Sequence, residues 1–408
     1  MTPSPGETLE LDVTGVAYRG AGIARHCGIV AFIRRTLPGE RVLAQVEAIR
    51  KNFIEARLVE VLRPSPDRVA SECLLPDGAP VPGCAYDYAS HAAEVALKEE
   101  QLRDFLRRLN LPDAAFLPPF FSPNPLHYRN KATFHVSPGD GGASIAAGYF
   151  GDDNKTVVDV SECPLAMPEI NAAWAEFRAS LRRGRRPRRC AVTLRRTEAD
   201  GVVAWTDAAP PPPGRRLLEH SPVGDLLVPC DGFFQVNPPV AAALVEQVRD
   251  WVSGLLRDGA IDVALDLCCG VGPFALAAAQ AGVSRVVGVE TSRQAVKCAR
   301  ANAERLSIGG TAFYCRDAAE YLSSEASSIP MARAVAIADP PRAGLQRRAL
   351  DALCASPLRH AIFVSCDPAT LARDLSLASA AGFSVRAARL FDMFPRTAHF
   401  ESAILLER

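Results

Sequence analysis

Between residues 4 and 64, apolar and polar positions alternate in short runs. They are Leu9-Glu10-Leu11-Asp12-Val13, Gly28 to Ile33, Arg41 to Val46, and Ala56 to Val61. Turns at Gly20-Ala21-Gly22 and Leu37-Pro38-Gly39-Glu40 separate them. A period of two marks strands with one covered face, and four or five such strands predict a small closed β-barrel. From Ala85 to Asn110 the period lengthens: Val95, Leu97, Leu102, Phe105, Leu106 and Leu109 recur among charges, as on one side of a helix. A proline-rich stretch from 112 to 125 ends it. Strand-like alternation returns from Tyr128 to Val136, at 146–150 and at 156–160. From about Gly232, apolar runs at 264–267, 285–289, 312–314, 334–338 and 361–365 alternate with amphipathic stretches. That order predicts a doubly wound parallel sheet. The last runs, 384–391 and 400–406, have only a short loop between them, which predicts an antiparallel pair. The connector at 63–82 and the Pro210–Gly214 stretch divide the chain into residues 1–64, 65–215 and 216–408. These are read as a β-barrel, a central α+β domain and a Rossmann-like α/β domain.

Composition changes this picture little. The 408 residues suffice for two or three domains, and 23% charged with 48% hydrophobic residues describes an ordinary globular chain. Lys+Arg and Asp+Glu both number 46, so the distribution of charge must decide any nucleic-acid role. Arg34, Arg35, Arg41, Arg50, Lys51 and Arg57 form either a basic face on the barrel or solvated strand edges. Residues 178–196 hold nine arginines and no acid, a phosphate-binding potential or a solvated loop. The first residues lack the basic and apolar pattern of a signal peptide, and the apolar window 263–283 contains Asp266 and a Gly-x-Gly turn, unlike a membrane span. Twelve cysteines in such a chain predict a reducing cytoplasm and no disulfide framework.

The chemistry concentrates in the last third. Ala361–Val364 reads as a buried strand, followed by a Ser365-Cys366-Asp367-Pro368 turn and a helix. Cys366 therefore sits on the rim where open α/β sheets bind ligands, beside a helix amino terminus that lowers a thiol's pKa. The alternative is an inert buried thiol. Upstream, Asp266-Leu267-Cys268-Cys269-Gly270-Val271-Gly272-Pro273-Phe274 is a strand, a glycine turn and a helix start, and Glu290 ends the next strand. The third glycine of a dinucleotide site is replaced by Ala275. With Asp317 after the third strand and Asp339-Pro340-Pro341-Arg342 after the fourth, the pattern suits an adenosyl ligand better than a pyrophosphate. Asp339-Pro340-Pro341 alone also fits an amino-group methyltransferase, which needs no thiol. Methylating carbon 5 of a uracil does need one: a thiolate adding at carbon 6 makes carbon 5 nucleophilic, and a base must then remove its proton. His399 and Glu401 in the tail are candidates, sharing one side of a strand if it begins there. A glutamate opening an edge strand is otherwise plain surface.

Phe233-Phe234-Gln235-Val236-Asn237, Asp266 to Phe274, Asp339 to Leu345, Ser365 to Asp374 and Asp392 to Glu401 together resemble the RNA 5-methyluridine methyltransferases. The front of the chain resembles that family's longer members, with an amino-terminal TRAM barrel and a central RNA-binding domain carrying Tyr128-Arg129-Asn130-Lys131. The resemblance implies that Cys366 is the nucleophile and Glu401 the base. It puts Gln235, Glu290 and Asp339 on S-adenosyl-L-methionine-binding positions, and Asp317 beside the adenine. Cys268 and Pro273 stand on two further positions, where the family usually has an aromatic and an asparagine. Structured RNA is the implied partner, 23S rRNA ahead of tRNA, for a monomer acting in the cytoplasm and off the membrane. An RNA-binding or assembly protein on the same fold is the non-catalytic alternative. Members with a 4Fe-4S cluster hold it with four cysteines; Cys73, Cys84 and Cys163 match three, and Val81 stands at the fourth. Either Asp77, Asp87 or an external ligand completes a cluster, or there is none.

Overall fold

In a computed structural model, the described residues are 3–107, 115–138, 145–181, 189–324 and 328–408. Leu109 and arginines 182–188 of the basic block lie outside them. The chain forms two compact units: Met1–Arg103 together with Phe394–His399, and Asp104–Met393 together with Phe400–Arg408.

The first unit contains a curled six-stranded sheet of β1 (Thr8–Asp12), β2 (Gly15–Val16), β3 (Ala21–His26), β4 (Ile29–Arg34), β5 (Arg41–Ile49) and β6 (Phe53–Arg63), in the order β1-β5-β6-β4-β3-β2. The alternating apolar positions, among them Leu9, Leu11, Val13, Ile33, Val42, Val46 and Ile54, fill its interior. The predicted Gly20-Ala21-Gly22 turn ends at Gly20, and β3 already begins at Ala21. Gly22 lies within β3 because a Cβ there would run into Thr36 and come within 3.1 Å of Val13, so its glycine serves close packing. Helix α1 (His91–Arg107) follows the connector.

The second unit begins with β7 (Ala115–Phe116) and an antiparallel sheet of β8 (Lys131–Pro138), β9 (Ile145–Phe150), β10 (Val157–Asp159), β11 (Cys190–Thr197) and β12 (Gly201–Thr206), ordered β10-β9-β8-β11-β12. Helix α2 (Pro168–Leu181) covers one face, stacking Trp174 on Phe134 at 4.0 Å between ring centroids. The described arginines of the basic block are engaged within the protein. Arg178 pairs with Asp159, Arg195 with Glu219 and Arg196 with Glu169, and Arg189 donates to the Lys155 carbonyl.

A hairpin, β13 (Arg216–Glu219) and β14 (Leu226–Pro229), leads to α3 (Pro238–Arg257). The remaining elements alternate: β15 (Val263–Leu267), α4 (Pro273–Gln280), β16 (Arg285–Glu290), α5 (Arg293–Arg305), β17 (Thr311–Cys315), α6 (Ala318–Ser324), β18 (Ala334–Ala338), α7 (Arg347–Ala355), β19 (His360–Ser365) and α8 (Pro368–Ala380). Two final strands, β20 (Ser384–Phe391) and β21 (Glu401–Glu407), complete a sheet ordered β17-β16-β15-β18-β19-β21-β20-β7. β15 to β19 are parallel, and β21 runs antiparallel to both β19 and β20, as the short final loop requires. β15, β18 and β19 are buried at every residue, which explains why they read as unbroken apolar runs. Successive strands run outward on either side of β15, so the order reverses between β15 and β18. In open sheets of this kind, ligands bind in the crevice at that switch point, outside the strands' carboxyl ends. Among the described residues no helix is long and apolar enough to cross a membrane.

Candidate active site

The crevice is built from strand ends. After β15 the chain turns through Cys268 (φ 76°), Gly270 (φ 54°) and Gly272 (φ 94°) before α4 starts at Pro273. Three left-handed residues in five make a tight loop whose backbone faces the crevice, and proline at the first helical position loses no hydrogen bond. The N–H groups of Cys268 and Cys269 donate to Val289 (2.8 and 3.0 Å), and that of Gly270 donates to Glu290 Oε2 (3.1 Å). Glu290 Oε1 accepts from Ser292 N (2.7 Å) and Thr291 Oγ1 (3.1 Å), so the carboxylate is fixed while Oε2 retains a lone pair for a further donor. Asp317 caps α6 by accepting from Ala319 N (2.9 Å). Asp266 accepts from Ala275 N through Oδ2 (2.9 Å), and its Oδ1 is buried with no partner.

These carboxylates converge. The Cys268 thiol is pushed up to about 12, first by burial and then by Glu290, Asp266, Asp339 and Asp317. Burial also raises Asp339, to about 7, and Asp266 well above the usual carboxylate range. A pocket with this many desolvated acids repels phosphate and suits a cationic sulfonium with an α-amino group. Of the sequence-predicted binding positions, Cys268, Glu290, Asp317 and Asp339 thus lie around one glycine loop with Pro273 at its end. Gln235 is half-buried in the loop before α3. That loop is tethered by Asn237, fully buried, whose side-chain N–H groups donate to Ser122 Oγ (3.0 Å) and to the Met393 carbonyl (3.3 Å).

The thiol and the carboxyl meet through sheet register. Ser365 pairs with Ser402 across β19 and β21, which brings Cys366 and Glu401 to neighbouring places at the sheet's rim. Ser402 Oγ reinforces the pairing by donating to the Ser365 carbonyl (3.2 Å). Glu401 is 1% exposed, and its pKa is well above the usual range, first because of burial and then Asp339, with Arg342 opposing. β21 begins at Glu401, so His399 precedes the strand and the alternation argument does not reach it.

Cys366 departs from expectation. Its thiol is raised to about 12 rather than lowered, by burial first and then Glu401, with Arg342 pulling it back. The helix amino terminus that was to stabilise a thiolate is taken by Asp367, whose Oδ1 accepts from Ala369 N (3.0 Å) and Thr370 N (2.9 Å). A capping carboxylate offsets the helix dipole locally.

Sequence reasoning assigned no role to Arg342, the cation that favours the charged forms of both Cys366 and Glu401. Its loop is held to α8: Asp374 Oδ2 accepts from Leu345 N (3.0 Å), and Arg373 Nη2 donates to the Ala343 carbonyl (2.9 Å). Gly344 (φ 77°) allows this, since a Cβ there would stand 2.6 Å from Asp374 Oδ2. A glycine two places after an arginine in a strand-end loop was the available signal.

The candidate metal ligands fare differently. Cys73 and Cys84 belong to the first unit and Cys163 to the second, all three buried. Among the described residues no three His, Cys, Asp or Glu side chains are grouped to hold a metal ion.

A doubly wound sheet presenting acids and a glycine turn at its switch point is the architecture of class I S-adenosylmethionine-dependent methyltransferases. A family model described as tRNA (Uracil-5-)-methyltransferase matches residues 229–408, and one for the TRAM domain matches residues 4–59. The 23S rRNA (uracil(1939)-C(5))-methyltransferase RlmD of Halomonas elongata is 32% identical, covering 98% of this chain and 89% of its own. The protein of the same name from Alkalilimnicola ehrlichii is 30% identical, covering 99% and 97%. The solved structure of Pyrococcus abyssi tRNA (uracil-54, C5)-methyltransferase in complex with S-adenosyl-L-homocysteine shares the fold, with a TM-score of 0.73 at 21% identity over 98% of this chain and all of that one. The chain belongs to the RNA uracil-C5 methyltransferase family.

Proposed function

We propose that this enzyme methylates carbon 5 of a uridine in 23S rRNA through a covalent adduct with Cys366. The observation that carries this reading is the β19–β21 register, which sets a thiol and a buried carboxyl side by side at the cofactor crevice. Two relatives named as 23S rRNA uracil-C5 methyltransferases over nearly the full chain, together with the TRAM domain, support rRNA as the substrate.

Gln235, Glu290, Asp317, Asp339 and the Cys268–Pro273 loop would hold S-adenosylmethionine, which would supply an electrophilic methyl group and leave as S-adenosylhomocysteine. Cys366 gives its thiol proton to water, and the resulting thiolate adds through Sγ to carbon 6 of a uracil flipped out of its stack, the electron pair of the 5,6 double bond moving to carbon 5 and the carbonyl at carbon 4. Arg342 faces the negative charge as it leaves sulfur. After carbon 5 carries the methyl group, Glu401 takes the carbon 5 proton. The electrons of that C–H bond reform the 5,6 double bond and expel Cys366. Burial suits Glu401 to this step, because a raised pKa makes a carboxylate a stronger base.

The reading is tested by incubating the protein with transcripts of 23S rRNA segments and of tRNA, with methyl-labelled cofactor, and digesting the RNA to nucleosides. Labelled 5-methyluridine from rRNA alone supports it. Label from tRNA alone moves the substrate, and an N-methylated base in place of 5-methyluridine refutes the chemistry.

A further inference from the structure

The connector between barrel and α1, where the resemblance would put an iron–sulfur cluster, is fastened by other means. The position that would supply a thiolate beside Cys84 is Val81, which is 2% exposed. Its N–H donates to the Cys73 carbonyl (2.9 Å) and its own carbonyl accepts from Cys84 N (3.1 Å), so a packed apolar turn occupies the place of a ligand. The carboxylates that might substitute are committed elsewhere. Asp77 caps an exposed turn by accepting from Ala79 N (3.0 Å). Asp87, fully buried, accepts from both terminal nitrogens of Arg35 (2.8 and 3.3 Å) and from Ser71 Oγ. In the second unit, Cys163 is set by its backbone, with its N–H donating to Asn171 Oδ1 (3.0 Å) and its carbonyl accepting from Asn171 Nδ2 (2.9 Å).

The same segment is cross-linked by buried charge. Arg68 donates to Glu40 (2.8 Å), which is fully buried, and the guanidinium carbons of Arg35 and Arg68 lie 5.1 and 5.0 Å from the centroid of the Tyr88 ring. On its other side, the Arg396 carbonyl accepts from Ala85 N (2.8 Å) and Tyr86 N (3.1 Å). Arg396 itself is locked in place: its N–H donates to Glu94 (2.7 Å), its guanidinium donates to the Ala89 carbonyl (2.8 Å), and Lys98 pairs with Glu94 at 2.6 Å. Each buried carboxylate thus has a cation and further donors, the condition under which buried ions hold a structure together. A four-thiolate cluster does for a loop what these pairs do, and the donor set for one is incomplete.

We infer that this chain carries no iron–sulfur cluster, and that the Arg35–Asp87, Arg68–Glu40 and Arg396–Glu94–Lys98 pairs fasten the segment a cluster would otherwise hold. The inference is independent of the reading of Cys366 and Glu401. Full-length protein is purified anaerobically, incubated with ferrous iron and sulfide under reducing conditions, desalted, and assayed for iron, acid-labile sulfide and melting temperature beside Cys73→Ser/Cys84→Ser. Expected are no more iron and sulfide than in the double variant, whose melting temperature falls only by what two buried thiol-to-hydroxyl changes cost and does so equally with and without added iron and sulfide. Asp87→Asn is expected to lower melting by about 5 °C or more, and the milder Arg35→Lys by less. Iron and sulfide retained by the wild type and lost from the double variant overturn the inference. So does an Asp87→Asn protein that melts with the wild type.

Discussion

Replacing Glu401 by Gln isolates one step of the proposed reaction. The side chain is 1% exposed at the head of β21, so an isosteric amide keeps the packing and the Ser365–Ser402 register while removing the proton acceptor. Cys366 still adds and carbon 5 still receives its methyl group, but its proton has nowhere to go. Loss of a positioned base costs about 10²–10⁴ in rate, equivalent to roughly 3–5 kcal/mol. Methyl-labelled protein–RNA adduct therefore accumulates on ordinary RNA, visible on a denaturing gel, while multiple turnover falls by that factor. The wild-type pH profile carries the same signature. Because burial and Asp339 raise the Glu401 pKa, the ionised base is lost at a higher pH than for an exposed glutamate, and the acid limb lies above the ordinary carboxylate range. An E401Q enzyme that turns over within threefold of wild type, or binds RNA without forming a labelled adduct, would refute the assignment.

Asp374→Ala frees the Arg342 loop and leaves the Leu345 N–H unpaired; about 1–3 kcal/mol of stability is lost, and methyl transfer falls roughly tenfold or more, measured by melting and by turnover. Burial pushes the Glu40 carboxyl up, but Arg68 and the Leu37 and Ser65 amides together hold it below the ordinary glutamate value. Its stabilising effect is therefore complete above the unfolded value near 4.5 and fades as pH falls through the lower folded one, so Glu40→Gln reduces the acid dependence of melting while costing stability at pH 7. Cys268→Val puts a β-branched residue at φ 76° and costs about 1–2 kcal/mol in thermal unfolding.

The sequence pattern revealed those elements whose burial is regular. β15, β18 and β19 announced themselves because both faces are covered, and β1, β4, β5 and β6 because one is. β3 was hidden by Gly22, since a glycine required for close packing reads like a turn. The strand-end residues Asp266, Glu290, Asp317, Asp339 and Cys366 were legible because parallel strands deliver their carboxyl ends to one crevice. The thiol's electrostatics were not: whether the α8 amino terminus serves Cys366 or Asp367 depends on which side chain turns inward. Arg342 was equally opaque, because its influence on Cys366 and Glu401 arises only when the Asp374 tether folds its loop toward them. For Cys73, Cys84 and Cys163, the family resemblance suggested ligands, and among the described residues no three His, Cys, Asp or Glu side chains are grouped to hold a metal ion.

The most direct test of the central claim uses RNA containing 5-fluorouridine. Fluorine does not leave as a proton does, so turnover by addition at carbon 6 stops at a covalent protein–RNA adduct. With S-adenosylmethionine and a 23S rRNA segment, the wild type is expected to form a denaturation-resistant adduct and Cys366→Ala none. Methyl transfer to unmodified RNA by Cys366→Ala, or an adduct that persists in that variant, would contradict it.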